Sequence, residues 1–215
     1  AANNEIFIAC DQTPFYAEAG GQIGDKGKFA SDSVTGNILD CKKQGKVFIH
    51  KAIVDEGTIK TGDVIKMSVE KEKRAAIAIH HSSTHLVHAA LREVLGDHVQ
   101  QKGSLVDENK LRFDFSHSKS LTPDEILKIE RIVNKEALKN LEVETKLMSL
   151  DDALNSGAMA LFGEKYDDDV RVLTMGENSY SVELCGGTHV ERTGDVGFFI
   201  ITNQSSVASG IRRIE

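Results

Sequence analysis

The pattern of the chain changes at the stretch EKEKRAAIAIHHSSTHLVHAALREVLG, residues 70–96. Apolar residues recur there at the spacing of one helix face, and the closing glycine is a common helix stop. The stretch therefore predicts a long helix that ends at Gly96. Because side chains four residues apart lie on one face of a helix, His81 and His85 are expected to point the same way.

A second pair of candidate metal ligands stands about a hundred residues later, in Cys185-Gly-Gly-Thr-His189. It offers a thiolate and an imidazole from a turn whose glycines let the backbone fold tightly around an ion. Either pair alone is weak, since histidines four apart on a helix are commonly surface or core residues. Together, His81, His85, Cys185 and His189 form a donor set that suits zinc, and they predict a Zn²⁺ site.

The residues next to these ligands limit the chemistry. Helical zinc proteases carry a glutamate directly after the first histidine as general base, whereas this chain has Ser82 there, which disfavours protease chemistry. His80 is expected to point away from the site. His88 lies near the ligand face and is expected to pack, to form a hydrogen bond, or to support a ligand from behind.

Composition limits the class of protein. The 215 residues suffice for one large or two modest domains, and 40% apolar and 27% charged residues are ordinary for a globular protein. The formal net charge of -7 argues against a surface covered with basic residues for nucleic acid, but a local basic groove stays possible. The three cysteines, an odd number without framework spacing, favour a reducing, cytoplasmic location.

The ends of the chain and its apolar runs carry further expectations. No apolar run is long enough to span a bilayer and no secretory leader is visible, so no membrane partner is expected. The chain lacks an initial Met and ends on a strand-like segment, residues 211–215. We therefore expect a fragment of a larger protein.

The order of patterns predicts an α+β protein with two domains. Residues 1–69 read as short strands between glycine turns, which is typical of a small β-barrel-like domain. Residues 70–215 mix helices with hairpin strands and predict an α/β two-layer domain with a mainly antiparallel sheet. A second helix should begin after Thr122, with Pro123 in its first position and Glu125 completing a capping box. Strands are expected at 143–148, 170–174, 180–184 and 198–203, with a short helix at 150–155.

Three further stretches are candidate binding segments. Residues 13–27 form either a glycine-rich turn or the wall of a pocket, and they lack the spacing of a phosphate or dinucleotide loop. The stretch Gln101-Lys-Gly-Ser104 has the pattern of a polar bend in a strand. The stretch 205–213 ends on two arginines that could contact phosphate, although a surface loop would look the same.

Several motifs, in order along the chain, resemble the editing domains of the alanyl-tRNA synthetase family and the related free-standing editing proteins. The resemblance covers nearly all of the sequence. The motifs are Thr13-Pro-Phe-Tyr-Ala-Glu-Ala-Gly-Gly-Gln22, His81-Ser-Ser-Thr-His-Leu86, Gln101-Lys-Gly-Ser104, Leu111-Arg-Phe-Asp-Phe-Ser116, Ala160-Leu-Phe-Gly-Glu-Lys-Tyr166, Cys185-Gly-Gly-Thr-His189 and Ala208-Ser-Gly-Ile-Arg-Arg-Ile-Glu215.

The resemblance implies an editing hydrolase that belongs to an ATP-dependent alanine-tRNA ligase. Its substrates would be Ser-tRNA(Ala) and Gly-tRNA(Ala), cleaved at the tRNA 3′ end, and its partners the tRNA(Ala) acceptor end and the aminoacylation domain of the parent synthetase. The resemblance also implies zinc on the four ligands, a pocket role for Gln101 and a contribution of Thr13 to serine discrimination. As phosphate contacts for tRNA, the sequence offers Lys102, Arg112, Arg212 and Arg213.

The chemistry of the proposed reaction leaves several points open. The zinc could activate water, bind the substrate amino group or hold the pocket together, and four protein ligands are typical of a closed, structural site. Either the zinc does not activate water, or one of the four ligands is loosely bound or absent, and His189 is the first candidate for that ligand. No obvious carboxylate base flanks the ligands, and Glu18 is the nearest candidate by motif. The alternatives are a non-catalytic, zinc-stabilised tRNA-binding module and an editing domain of the threonyl type.

Overall fold

The computed structural model describes residues 5–160 and 167–215. Its internal contacts divide the chain into two compact units, Ala1–Ala76 and Ile77–Glu215. This division falls inside a helix, and the domain boundary expected between residues 69 and 70 stays a prediction. Residues 161–166, most of one of the family motifs, lie outside the described residues.

The first unit is built on one antiparallel sheet of five strands. Glycine-rich turns separate the strands, which lie in the order β1-β4-β3-β2-β5. Since β1 and β5 are edge strands, the sheet is open in the described part of the chain, and the predicted barrel-like unit is not a closed barrel. The strands are β1 (Glu5–Ala9), β2 (Gly27–Ala30), β3 (Val34–Gln44), β4 (Val47–Gly57) and β5 (Lys66–Val69).

Alternation along β3 fills the core of this unit. Val34, Ile38 and Cys41 are buried on one face of the sheet, where they pack with Phe29 of β2. Gly36 shares that face, and a Cβ added there would lie 2.4 Å from the Phe29 ring. Glycine at this position therefore makes room for a large aromatic side chain in the core.

A buried carboxylate fixes the glycine-rich stretch of residues 13–27. Asp25 is 1% exposed and accepts a hydrogen bond of 2.6 Å from the backbone N–H of Tyr16. The guanidinium of Arg74 forms an ion pair with the same carboxylate and also donates to the carbonyl of Pro14. A buried charge is tolerated when it is paired and hydrogen-bonded, so the stretch is a fixed loop.

In its described residues, the second unit combines three α-helices and one short 3₁₀ helix (Thr193–Val196) with two antiparallel sheets. The sheets have the strand orders β10-β9-β8 and β11-β12-β7-β6. The predicted α+β class with mainly antiparallel sheets is confirmed. The elements are α1 (Lys71–Leu95), β6 (Gln101–Val106), β7 (Leu111–Ser116), α2 (Pro123–Leu138), β8 (Glu144–Ser149), α3 (Leu150–Asn155), β9 (Asp169–Met175), β10 (Ser181–Leu184), β11 (Gln204–Ala208) and β12 (Ile211–Ile214).

Helices α1 and α2 cover the main core of the second unit. Leu86 and Leu91 of α1, and Ile129 of α2, are fully buried with Phe113 and Phe115 of β7. The buried part of α1 runs from residue 77 to residue 91 and contains the histidine motif. The core thus holds the helix face that carries the candidate ligands. Among the described residues, no helix is both long and apolar enough to cross a membrane.

The prediction of a strand at residues 198–203 is wrong, since these residues form no strand and the next strand, β11, begins at Gln204 and ends at Ala208. Side chains of α2 satisfy the backbone of this segment instead. The side chain of Asn134 donates to the carbonyl of Phe199 and accepts from its N–H, each at 2.8 Å. Glu130 accepts from the N–H of Ile201 at 2.8 Å. The alternation of buried and exposed residues resembles a strand, but the hydrogen bonds go to a helix.

The predicted start of α2 is confirmed in detail. Thr122 is the N-cap, and its hydroxyl accepts from the backbone N–H of Glu125 at 3.2 Å. The Glu125 carboxylate accepts from the backbone N–H of Thr122 at 2.7 Å, which completes the capping box. Two N–H groups that the helix leaves unpaired are satisfied in this way.

Replacing Thr122 with alanine should lower the free energy of unfolding of the second unit by about 1 kcal/mol, because an N–H at the helix start loses its acceptor. Urea unfolding followed by circular dichroism measures the change. Lys128→Ala is the control, since Lys128 is exposed in the middle of the same helix. Equal effects of the two substitutions would contradict a stabilising role of the cap.

Candidate metal centre

Helix α1 presents two imidazoles side by side. His81 and His85 are 5% and 3% exposed, and their rings stack with centroids 5.2 Å apart. This is the arrangement expected of residues four apart on one helix face. His80, on another face, contacts the carbonyl of Asp107 through Nδ1 at 2.7 Å, in agreement with the prediction that it points away.

The turn after β10 supplies the thiol and the third imidazole. The backbone N–H of Cys185 donates to the carbonyl of Arg171 at 2.9 Å, and the Arg171 guanidinium donates to the carbonyl of Gly187 at 2.8 Å. These bonds anchor both sides of the turn to β9. A Cβ added at Gly186 would meet no described atom within 4 Å, and its φ is not positive. The tight fold expected of this turn therefore does not require glycine at residue 186.

The four predicted ligands come together. The Cys185 sulfur lies 3.4 Å from Nε2 of His81 and 3.2 Å from Nε2 of His189. The candidate ligand atoms of these residues and of His85 all lie within 4.8 Å of one another. Bond lengths of about 2.0–2.3 Å would place neighbouring ligands of a tetrahedral zinc roughly 3.3–3.6 Å apart. The cluster is thus close to the size that a metal ion needs and could hold one.

One nitrogen in the cluster has no hydrogen-bond partner. Nε2 of His85 is buried, and no hydrogen bond reaches it from the described residues. A buried polar atom without a partner costs free energy, so such an atom calls for an explanation. Once Nε2 gives up its proton, its lone pair lies beside a thiolate and two other imidazoles, where a divalent metal would bind, and the residues fit the ion.

A second set of contacts holds the ligands from outside. Nδ1–H of His85 donates to Glu183 at 2.8 Å, and Nδ1–H of His88 donates to the other oxygen of that carboxylate at 2.9 Å. Ser82 lies 3.2 Å from Nδ1 of His189 and accepts from the backbone N–H of Val190 at 3.1 Å. Ser82 stands where a helical zinc protease would carry its general base, and here it supports the ligand His189.

The charges of the cluster depend on one another. Burial alone would lower the pKa of His85, but Glu183 and the Cys185 thiolate outweigh it and raise this pKa to about 10. Burial disfavours the thiolate of Cys185, yet His85 and hydrogen bonds from the other imidazoles lower its pKa well below the ordinary value. Burial lowers the pKa of His189 to about 4. The set therefore offers a thiolate and a neutral imidazole at pH 7.

Gln101 is half buried at the start of β6, an edge strand. It pairs with Phe115 of β7, and the register shifts directly after it, between Gln101 and Gly103. Such a bulge re-aims neighbouring side chains. The pocket role of Gln101 stays a prediction.

The four residues predicted to contact phosphate occupy β6, β7 and β12. Arg213 forms two hydrogen bonds with Asp114 of β7, at 2.6 and 2.7 Å, so its guanidinium is already engaged. Arg112 lies 3.9 Å from the same carboxylate. Arg212 donates to the hydroxyl of Ser120, and Lys102 is exposed. Contact with tRNA stays a prediction for all four residues.

Thr13 belongs to the first unit, and its hydroxyl is engaged there. It lies 2.8 Å from Nε2 of His50 and accepts from the backbone N–H of Phe15 at 3.1 Å. His50 is fully buried, and burial lowers its pKa, so its Nε2 accepts a hydrogen bond from Thr13 while Nδ1–H donates to the carbonyl of Ile8. Glu18 is exposed and pairs with Lys42 at 3.1 Å, as a surface residue does.

The residue that sequence reasoning missed is Glu183. Glu183 is 3% exposed, and it lies two residues before the predicted ligand Cys185. A carboxylate between apolar neighbours on a short strand, in Val182-Glu-Leu184, was the available signal. Alternation along a strand alone would have placed it on a solvent-facing side.

Comparisons with known proteins agree with the motifs. Residues 1–73 match the family model of tRNA synthetases class II (A), and residues 170–215 match the threonyl and alanyl tRNA synthetase second additional domain. The chain is also 53% identical, over 218 residues, to an alanine-tRNA ligase from Rhodopseudomonas palustris. The match covers 97% of this chain and 24% of that protein.

Two separate family models and this identity along nearly the whole sequence point to one group of proteins. The similarity to the ligase also includes the residues between the two matched ranges, where His81 and His85 lie. The chain belongs to the alanyl-tRNA synthetase family.

Proposed function

We propose that the chain is an editing hydrolase that deacylates Ser-tRNA(Ala) and Gly-tRNA(Ala), with Zn²⁺ in the candidate metal centre. The observation that carries the proposal is the cluster of three imidazoles and one thiolate, buried or half-buried, in a chain so similar to an alanine-tRNA ligase. Its proposed partners are the acceptor end of tRNA(Ala), charged with serine or glycine, and the aminoacylation domain of a parent synthetase.

The proposed site holds zinc through His81, His85, Cys185 and His189. Bound there, zinc would supply positive charge that orients a substrate group or lowers the pKa of water. Four protein ligands favour the orienting role, because a site that activates water usually keeps one position open. The thiolate of Cys185 and the carboxylate of Glu183 provide the negative charge that keeps such an ion in place.

Selection of serine over alanine requires a group that recognises the serine hydroxyl. Serine is the larger of the two, so a site that filters by size would also admit the correct product. Polar groups placed for the hydroxyl would be left unpaired by alanine, at about 1–3 kcal/mol for each group. We assign this role in the second unit to the amide of Gln101. The contribution of Thr13 is a separate proposal, and its hydroxyl would have to exchange its present hydrogen bonds.

The second candidate function is a non-catalytic tRNA-binding module in which zinc only stabilises the fold. The closed set of four protein ligands favours it. An editing domain of the threonyl type is a further alternative, since one matched family model covers both synthetases. Comparing Ser-tRNA(Ala) with Ser-tRNA(Thr) as substrates separates the two specificities.

Deacylation of Ser-tRNA(Ala), Gly-tRNA(Ala) and Ala-tRNA(Ala) by zinc-loaded protein tests the proposal. We expect the serine ester to be cleaved and the alanine ester to be spared. Replacing Gln101 with methionine should slow serine removal roughly 5- to 150-fold, the equivalent of one lost hydrogen bond in a buried site. Gln100→Met is the matched control, because Gln100 is the exposed neighbour. If the parent protein binds tRNA but cleaves none of the three esters, the result would favour the non-catalytic tRNA-binding module.

Loss of the thiolate should remove the metal. Cys185→Ser is expected to lower the zinc content of the purified protein and to abolish the sulfur-to-metal absorption band of a cobalt-substituted sample. Cys10→Ser is the control, since Cys10 belongs to the first unit and should leave both signals unchanged. Full zinc retention by Cys185→Ser would exclude Cys185 as a ligand.

Zinc binding at pH 7 should release about one proton per metal ion, because ligands must be deprotonated to bind. The pKa of about 10 at His85 means that this imidazole carries a proton to be displaced. The lowered pKa values of Cys185 and His189 mean that they do not. Calorimetric titrations in buffers of different ionisation enthalpy measure the number. Release of about two protons would show that a second ligand, too, is protonated before binding.

A further inference from the structure

We propose that Glu183 is a positioning residue of the metal centre, whose carboxylate, held between His85 and His88, directs Nε2 of His85 towards the metal. This inference rests on the metal site of the proposed function. It adds Glu183 to the four ligands of that site, and it adds His88 because His88 holds Glu183.

The hydrogen bonds determine which nitrogen of each ring carries a proton. Glu183 is 3% exposed, and its two oxygens lie 2.8 Å from Nδ1 of His85 and 2.9 Å from Nδ1 of His88. An ionised carboxylate can only accept hydrogen bonds, so both Nδ1 atoms must donate. An imidazole that binds a metal is neutral and has one N–H, and with that proton on Nδ1 the lone pair of His85 stands on Nε2.

That lone pair belongs to the cluster. Nε2 of His85 is one of four buried side-chain nitrogens without a hydrogen-bond partner in the described part of the chain, together with one each on His88, Arg112 and Arg212. Of these four, the nitrogen of His85 belongs to the ligand cluster, where it lies within 4.8 Å of the other ligand atoms. A carboxylate behind a metal-bound histidine fixes the ring orientation and makes the imidazole a stronger ligand. Glu183 thus acts on the metal through His85.

His88 holds the carboxylate in place. It is 1% exposed, and its ring packs against Phe113 with centroids 5.2 Å apart. Because it occupies the second oxygen of Glu183, the carboxylate cannot turn away from His85 without losing a buried hydrogen bond. His88 is therefore connected to the metal centre through Glu183, while the four-residue ligand cluster leaves it out.

The same contacts argue against Glu183 as the general base of hydrolysis. Both of its oxygens are occupied by imidazole N–H groups, and its side chain is 4% exposed. A base must reach the proton that it removes, directly or through one water molecule. We therefore assign Glu183 to the support of His85 and not to the removal of a proton from water.

The test measures the affinity of the whole chain for zinc in competition with a chelator. Glu183→Gln should weaken zinc binding about 10- to 100-fold, the usual effect of losing such a partner. Glutamine has one acceptor oxygen, and its NH₂ group faces an imidazole N–H where the second oxygen stood. The matched control is Glu136→Gln. Glu136 is 5% exposed, and it accepts hydrogen bonds from Lys139 and from the backbone N–H of Glu177 in the same unit.

The control should lower stability and leave zinc affinity within about twofold of the parent chain. A folded Glu183→Gln variant with parental affinity would overturn the inference alone, whereas a parent chain that takes up no zinc would overturn the metal centre with it. If Glu183→Gln does not fold, nitrogen-resolved NMR of the zinc-loaded parent chain decides. His85 protonated on Nδ1, with a slowly exchanging proton, supports the inference, and a proton on its Nε2 overturns it.

Discussion

The charge balance between α1 and β10 is the constraint on which the second unit depends. Two groups that favour the negative form, the Cys185 thiol and the Glu183 carboxyl, are buried within two residues of each other. An unpaired buried charge costs several kcal/mol, so neither could stay there without donors. Helix α1 supplies these donors, and the same helix packs into the main core through Leu86, the residue that follows His85. The helix that packs the core is therefore also the one that positions two of the four candidate metal ligands.

Features that depend on neighbours along the chain could be predicted from the sequence. The spacing of His81 and His85 places both rings on one helix face whatever the tertiary structure is. The capping box of Thr122 and Glu125 likewise needs only four residues. The meeting of the two ligand pairs was a chemical inference from their donor atoms, and the structure brings them together.

Other features that depend on partners distant in sequence, and that carry no such chemical signal, could not be predicted. Glu183 is buried because two histidines almost a hundred residues away offer N–H groups. Arg213 pairs with Asp114 because the register of β12 with β7 places the two residues directly opposite each other. Phe199 lies in a segment with strand-like alternation, yet Asn134 of α2 satisfies its backbone. In each case the deciding hydrogen bond joins elements whose pairing is set by the fold.

The ligand set also bears on how the proposed reaction selects its substrate. A metal ion attracts the amino group or ester of serine, glycine and alanine alike, because these groups are common to all three. Selection against alanine must come from groups that contact the side chain, and a hydroxyl is distinguished best by buried polar groups that alanine would leave unpaired. The closed arrangement of three histidines and a cysteine suits an ion that orients the common part of the substrate. Discrimination then belongs to residues outside the ligand set, and the two tasks can be separated by mutation.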